Sequence, residues 1–123
     1  MKKTHRDYGK YRFNGKLYSK GQLVLAVILH YMHEHPKTTA AQLKSTFSRD
    51  LQTRFPVVAP AKEAIKINKT TRIKRFFDRK EQLIRTFNGI KFAVTNYWGS
   101  SNIHVFINYA KTELGYRITR VAT

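Results

Sequence analysis

Gln82-Leu83-Ile84-Arg85-Thr86-Phe87, then Asn88-Gly89, then Ile90-Lys91-Phe92-Ala93-Val94-Thr95-Asn96-Tyr97-Trp98 is the stretch that decides how this chain is read. Ile90, Phe92, Val94 and Trp98 fall at even spacing, which puts them on one face of an extended strand. Asn-Gly between two such runs favours a tight turn. The stretch therefore predicts an antiparallel β-hairpin with its tip at Asn88-Gly89, and Tyr97 opposite the Phe92/Val94/Trp98 face.

On the N-terminal side, Ile73-Lys74-Arg75-Phe76-Phe77 reads as a further strand. Residues 48–69 are broken by Pro56 and Pro60, and Pro60 to Ile67 reads as a short third helix with Pro60 or Ala61 in its first turn. Thr39-Ala40-Ala41-Gln42 is a capping box, and opens a short amphipathic helix that ends near Phe47. Ser19-Lys20-Gly21-Gln22 is a second such box. Its helix runs from Lys20 to His35, where Pro36 stops it. Leu23, Val24, Ala26, Val27, Ile28, Tyr31 and Met32 lie nearly all round that helix, the pattern of a central, buried one. Asn14-Gly15 between Tyr11-Arg12-Phe13 and Lys16-Leu17-Tyr18 predicts a small hairpin with a type I′ turn. Residues 1–10 read as a mobile basic arm.

On the C-terminal side, Gly99-Ser100-Ser101-Asn102 caps a last helix with the stripe Ile103, Phe106, Ile107, Ala110 and Leu114. Gly115 suits its C′ position, and Tyr116 to Thr119 reads as a closing strand. The predicted fold is α+β and winged-helix-like: N-terminal helices, then an antiparallel hairpin, with an additional C-terminal helix and short strand. Residues 11–123 form a single nucleic-acid-binding domain in this reading, although other small α+β folds share the order.

Charge supplies the functional signal. The 123 residues carry 24 Lys+Arg against 7 Asp+Glu, a net charge of +17. Such an excess repels itself when folded, and a polyanion relieves it; nucleic acid does so with release of counterions. With 41% hydrophobic residues, the chain can build a core and is no disordered basic tail. The absence of cysteine excludes disulfides, cysteine-based zinc sites and a thiol nucleophile. No apolar segment follows Met1-Lys2-Lys3 as in a secretory signal, and the longest apolar run, Leu23 to Leu29, is too short to span a bilayer. The expectation is a cytoplasmic protein without a membrane partner.

One ordered pattern covers nearly the whole chain after the arm: Phe13-Asn14-Gly15-Lys16-x-Tyr18-x-Lys20-Gly21-x-Leu23-Val24-Leu25-Ala26-Val27, Leu51-Gln52, Val57-Val58, Arg75-Phe76-Phe77, Ala93-Val94-x-Asn96-x-Trp98-Gly99-x-x-Asn102-Ile103-x-x-Phe106-Ile107 and Gly115-Tyr116-x-Ile118. It resembles a set of small, mostly uncharacterised bacterial and phage proteins, with similar segments attached to restriction-type nucleic-acid enzymes. The resemblance implies a phage or mobile-element setting and a nucleic-acid context. It carries over no site residues.

The densest basic cluster is Lys69, Arg72, Lys74, Arg75, Arg79 and Lys80, enough cations within a dozen positions to share one phosphate backbone. The hairpin adds Arg85 and Lys91 beside its tip. The element after the second helix adds Arg49, Arg54, Lys62 and Lys66, with Gln52 as a base reader, and the arm adds Lys2, Lys3 and Arg6. Tyr8, Tyr11, Phe13, Tyr18, Tyr97 and Trp98 have the chemistry to stack on unpaired bases, though aromatics in strands more often pack in cores; Tyr97 is the best exposed of them. His30 and His33, with Glu34 nearby, lack a fourth metal ligand, and Glu34 is read as pointing elsewhere on the helix, so neither metal nor cofactor is expected. Asp50, Glu63, Asp78 and Glu81, with Lys80, do not fall into a nuclease spacing, and no catalytic set can be ordered. The reading is a non-catalytic nucleic-acid-binding protein that takes duplex DNA through phosphate contacts, with RNA the lesser preference. The alternative is a phage-type inhibitor or adaptor directed at a host nuclease, an RNA-guided effector or a polymerase, or at its RNA.

Overall fold

The computed structural model describes residues 9–52 and 54–121. In chain order the elements are β1 (Lys10–Phe13), β2 (Lys16–Tyr18), α1 (Lys20–Glu34), α2 (Ala40–Thr46), β3 (Val58–Pro60), α3 (Ala61–Thr70), β4 (Ile84–Arg85), β5 (Lys91–Val94), α4 (Ile103–Thr112) and β6 (Thr119–Val121). Single 3-10 turns lie at Arg49–Leu51 and Lys80–Gln82. The strands form two antiparallel sheets, β2-β1-β6 and β3-β5-β4, and the fold is α+β.

In the first sheet, Asn14 (φ 51) and Gly15 (φ 79) both take the left-handed conformation of the predicted type I′ turn. Lys10 begins β1 and so is not part of a free arm. The closing strand β6 pairs with β1, not with the central hairpin, and so brings the two ends of the described chain together.

Helix α1 starts at Ser19, but the Ser19 side chain makes no capping bond, so the predicted box does not form there. The box at Thr39 is complete: Thr39 Oγ1 accepts from the Gln42 amide at 3.3 Å, and Gln42 Oε1 accepts from the Thr39 amide at 3.0 Å. Helix α1 buries Leu23, Val24, Leu25, Val27, Ile28 and Met32. They share one core with Tyr11 and Phe13 of the first sheet, Phe92 and Val94 of the second, and Ile103, Phe106 and Ala110 of α4. The burial is not complete: Gln22, Leu29 and His33 stay exposed and Ala26 half-buried, one narrow stripe that the nearly all-round apolar pattern did not show.

Strand β5 is covered on both sides. Val58, paired with Val94, and Ile84, paired with Phe92, enter the main core. The alternate pair Ala59 and Ala93 faces α3, where it meets Ala64 and Ile67. Methyl side chains at Ala59, Ala64 and Ala93 let the helix approach the strands closely. The period-two reading placed Phe92 and Val94 correctly and missed the second covered face. Ile73–Phe77 is not a strand: Phe76 alone bridges to Thr95, with Phe77 N donating to Val94 O and Asn96 N to Arg75 O.

The hairpin tip also differs from a two-residue turn. Thr86 N donates to Ile90 O, and Gly89 N to Thr86 O, which closes a three-residue loop Phe87-Asn88-Gly89. Gly89 has φ +83, whereas Asn88 keeps a negative φ. A tertiary contact decides this: Asn88 Oδ1 accepts from the Ala40 amide at 3.2 Å and so caps α2, while Thr86 Oγ1 donates to the same oxygen at 2.6 Å. A short Pro36-containing turn joins α1 to α2, and the Arg49–Leu51 turn and β3 stand between α2 and α3. Among the described residues, no helix is long and apolar enough to cross a membrane.

Candidate nucleic-acid interface

Helix α3 packs its Ala64 and Ile67 face on the sheet and exposes Lys62, Lys66 and Lys69 at i, i+4 and i+7, one stripe on its outer side. In the hairpin, Arg85 is paired directly with Lys91, and both are exposed. Strand alternation puts these two side chains on the side of Ala93, the side on which α3 packs. Five cations thus share one side of the second sheet. A Cβ placed on Gly89 would lie 4.0 Å from Arg85 Nη2, so the guanidinium reaches the tip. Phe87 on that tip is 64% exposed.

Beyond α3 the chain turns into the basic segment, and Asn68 holds the turn. Its Oδ1 accepts from the amides of Arg75 (2.8 Å) and Phe76 (3.1 Å). Its Nδ2 donates to Phe76 O and to Asp78 Oδ2, each at 3.1 Å. Thr95, fully buried, donates its hydroxyl to Arg75 O at 2.7 Å. Arg75 is thereby fixed with its guanidinium 4.9 Å from the centre of the Tyr97 ring, and the Arg54 guanidinium lies 5.6 Å from the same ring. Phe55 meets the ring edge-on at 5.3 Å. Lys74 Nζ is 3.2 Å from Asp78 Oδ1. Burial pushes the Asp78 carboxyl up, but hydrogen bonds from Lys74 and Asn68 outweigh it and leave its pKa below the ordinary 3.8.

Gln52 is 1% exposed and does not read bases, as the sequence suggested it would. Its amide donates to Tyr97 O and accepts from Arg54 N at 2.9 Å, which ties the Arg54 segment to Tyr97. The polar side chains buried among the described residues are Thr38, Gln52, Thr86 and Thr95. Gln52 and Thr95 sit under the Arg54/Arg75/Tyr97 group. Thr38 and Thr86 sit under the hairpin tip, where Thr38 O accepts from Phe87 N. Buried polar groups need partners, and here they hold irregular backbone in place.

The other expected residues divide. Arg72 is exposed in the turn after α3, and Arg79 and Lys80 are exposed at the second 3-10 turn. Arg49 is exposed on the first 3-10 turn and joins neither cluster through a contact. Lys2, Lys3, Arg6 and Tyr8 lie outside the described residues. Tyr11 and Phe13 are core residues, and Trp98 packs on Phe106 at 5.5 Å. Glu34 does share a face with His30: Nε2 is 3.3 Å from the carboxylate, contrary to the sequence reading. Among the described residues, no group of three His, Asp or Glu is placed to hold a metal.

Sequence reading missed Asn68 and Thr95. Their signal was a polar residue on the inward side of α3 and another directly after the buried Phe92-Ala93-Val94 run. The class defined here is a small α+β protein with a cationic side built on α3 and the β4–β5 hairpin. No family model, curated protein or solved structure matches the chain.

Proposed function

We propose that this chain is a non-catalytic nucleic-acid-binding protein that grips the phosphate backbone, with duplex DNA preferred, in the cytoplasm and in the phage or mobile-element setting that its sequence pattern implies. The observation that carries the reading is the gathering of five exposed cations on one side of the second sheet, where Glu63 is the carboxylate that α3 adds. Arg85 stands in register with Lys91 on the side of the sheet that α3 covers, and neither they nor Lys62, Lys66 and Lys69 are ion-paired among the described residues. Like charges directly opposite each other on a sheet oppose folding by some tenths of a kcal/mol, and a row of phosphates turns that repulsion into attraction. An extended row suits a polymer better than a single small anion.

The test is a salt titration of duplex binding. If the five cations each neutralise one phosphate, log affinity falls with log salt at a slope of about −4.5. The exposed triple change K62E/K66E/K69E leaves the Ala64 and Ile67 contacts untouched and removes most of the binding. Affinity indifferent to salt, or full affinity in the triple variant, refutes the reading.

A further inference from the structure

A cleft of about 370 Å³ opens where the start of α1 meets the 73–77 segment and residues 96–98. Its walls include Ile73, Phe77, Tyr97 and Trp98, and its rim carries Lys74 and Arg75. We infer that this cleft accepts a single unpaired nucleotide, its base against the apolar and aromatic walls and its phosphate at Arg75; the inference rests on the nucleic-acid reading above and names the form of nucleic acid bound.

Three features support it beyond the composition of the walls. Ile73 is 63% exposed at the mouth, an apolar side chain left in water within a basic segment. Two guanidiniums, Arg54 and Arg75, are drawn to one ring with no carboxylate paired to either among the described residues, so an anion arriving at Tyr97 meets two unneutralised charges. The walls are also built in advance. Asn68 and Thr95 hold Arg75, Gln52 holds Arg54 and Tyr97, and the Trp98 indole donates to Thr95 O at 2.9 Å. A preformed site spends less of its binding free energy on ordering side chains.

The cleft lies at the C-terminal end of α3, since the chain passes from Lys69 through Arg72 to Arg75. A strand whose backbone follows the α3 side therefore reaches the cleft at its end. The chemistry is that of an unpaired nucleotide in either DNA or RNA. Stacking of a base on aromatic side chains typically gains roughly five- to hundred-fold in affinity.

Trp98 is the one tryptophan of the chain, so its fluorescence reports on the cleft directly. The experiment compares a fully paired DNA duplex, the same duplex with one unpaired thymidine, and an RNA duplex with one unpaired uridine. The expected result is Trp98 quenching and at least five-fold tighter binding with an unpaired nucleotide, and the DNA and RNA arms tell which sugar is preferred. I73A, at an exposed position, and Y97A, checked by thermal melting, should each lose that preference while paired-duplex binding persists. Equal affinity for paired and unpaired duplexes without quenching overturns the inference and leaves the phosphate-grip reading standing. Binding to none of the three overturns both.

Discussion

Asn68→Ala is the sharpest test of how this surface is held. The wild-type amide makes four hydrogen bonds, to the backbone of Arg75 and Phe76 and to the Asp78 carboxylate. At about 1 kcal/mol net for each bond, complete loss would cost about 4 kcal/mol. Asn68 is half-buried, so water takes over part of this, while Phe76 at the centre of the group is buried and its backbone gains less from solvent. Alanine also favours the helix over asparagine by about 0.5 kcal/mol. The balance is a loss of about 2 kcal/mol, or a melting temperature lower by roughly 8 °C for a protein of this size. Urea and thermal denaturation measure it directly. Asn68→Asp separates the parts: it keeps both acceptor bonds, loses both donor bonds, and sets a second carboxylate beside Asp78. It should be at least as damaging at neutral pH and recover as the pH falls to where one carboxyl protonates. A stability of Asn68→Ala within about 0.5 kcal/mol of wild type would show that the 75–78 segment is held without Asn68, by the Phe76–Thr95 bridge and the Thr95 hydroxyl.

Arg85→Glu converts a like-charged cross-strand pair into an opposite one, so stability should rise by roughly 0.5 kcal/mol while DNA affinity falls; a variant less stable than wild type contradicts the argument. The Tyr11 hydroxyl is buried without a hydrogen-bond partner among the described residues, so Tyr11→Phe should hold or raise stability by up to about 1 kcal/mol, and a loss above that range in urea denaturation refutes it. The Glu34 carboxyl lies below its ordinary 4.5, chiefly because it accepts the Tyr116 hydroxyl at 2.8 Å, with further help from His30 and His35. A depressed folded pKa stabilises above the unfolded value and fades as pH falls through the folded one. Melting temperature should thus decline below pH 4.5, and less steeply in Glu34→Gln; parallel curves would discount Glu34.

Much of the frame was legible because local chemistry determines it. Thr39 with Gln42, Pro36 after α1, Asn14-Gly15 and Gly115 each set a cap, a stop or a turn through bonds within a few residues. Helix α1 announced its central place through the apolar run from Leu23 to Leu29, although Gln22, Leu29 and His33 keep one stripe of it in water. The hairpin was visible from Phe92 and Val94, and the cationic excess from counting alone.

Other features depended on partners far away in sequence. Asn88-Gly89 reads as a two-residue turn, yet Asn88 caps α2 from 48 residues away, which holds the tip in a wider loop. Ile73 to Phe77 has the composition of a strand but lacks a ladder partner beyond Thr95, so Asn68 satisfies its backbone instead. Gln52 resembles a surface base reader until its burial against Tyr97 is seen. The amino-acid sequence alone thus determined an α+β chain with a core, a hairpin and a large positive charge. Only the tertiary structure decided which cations share a side and which ring gathers two guanidiniums, because pleat, register and long-range hydrogen bonds set those positions and leave no local pattern.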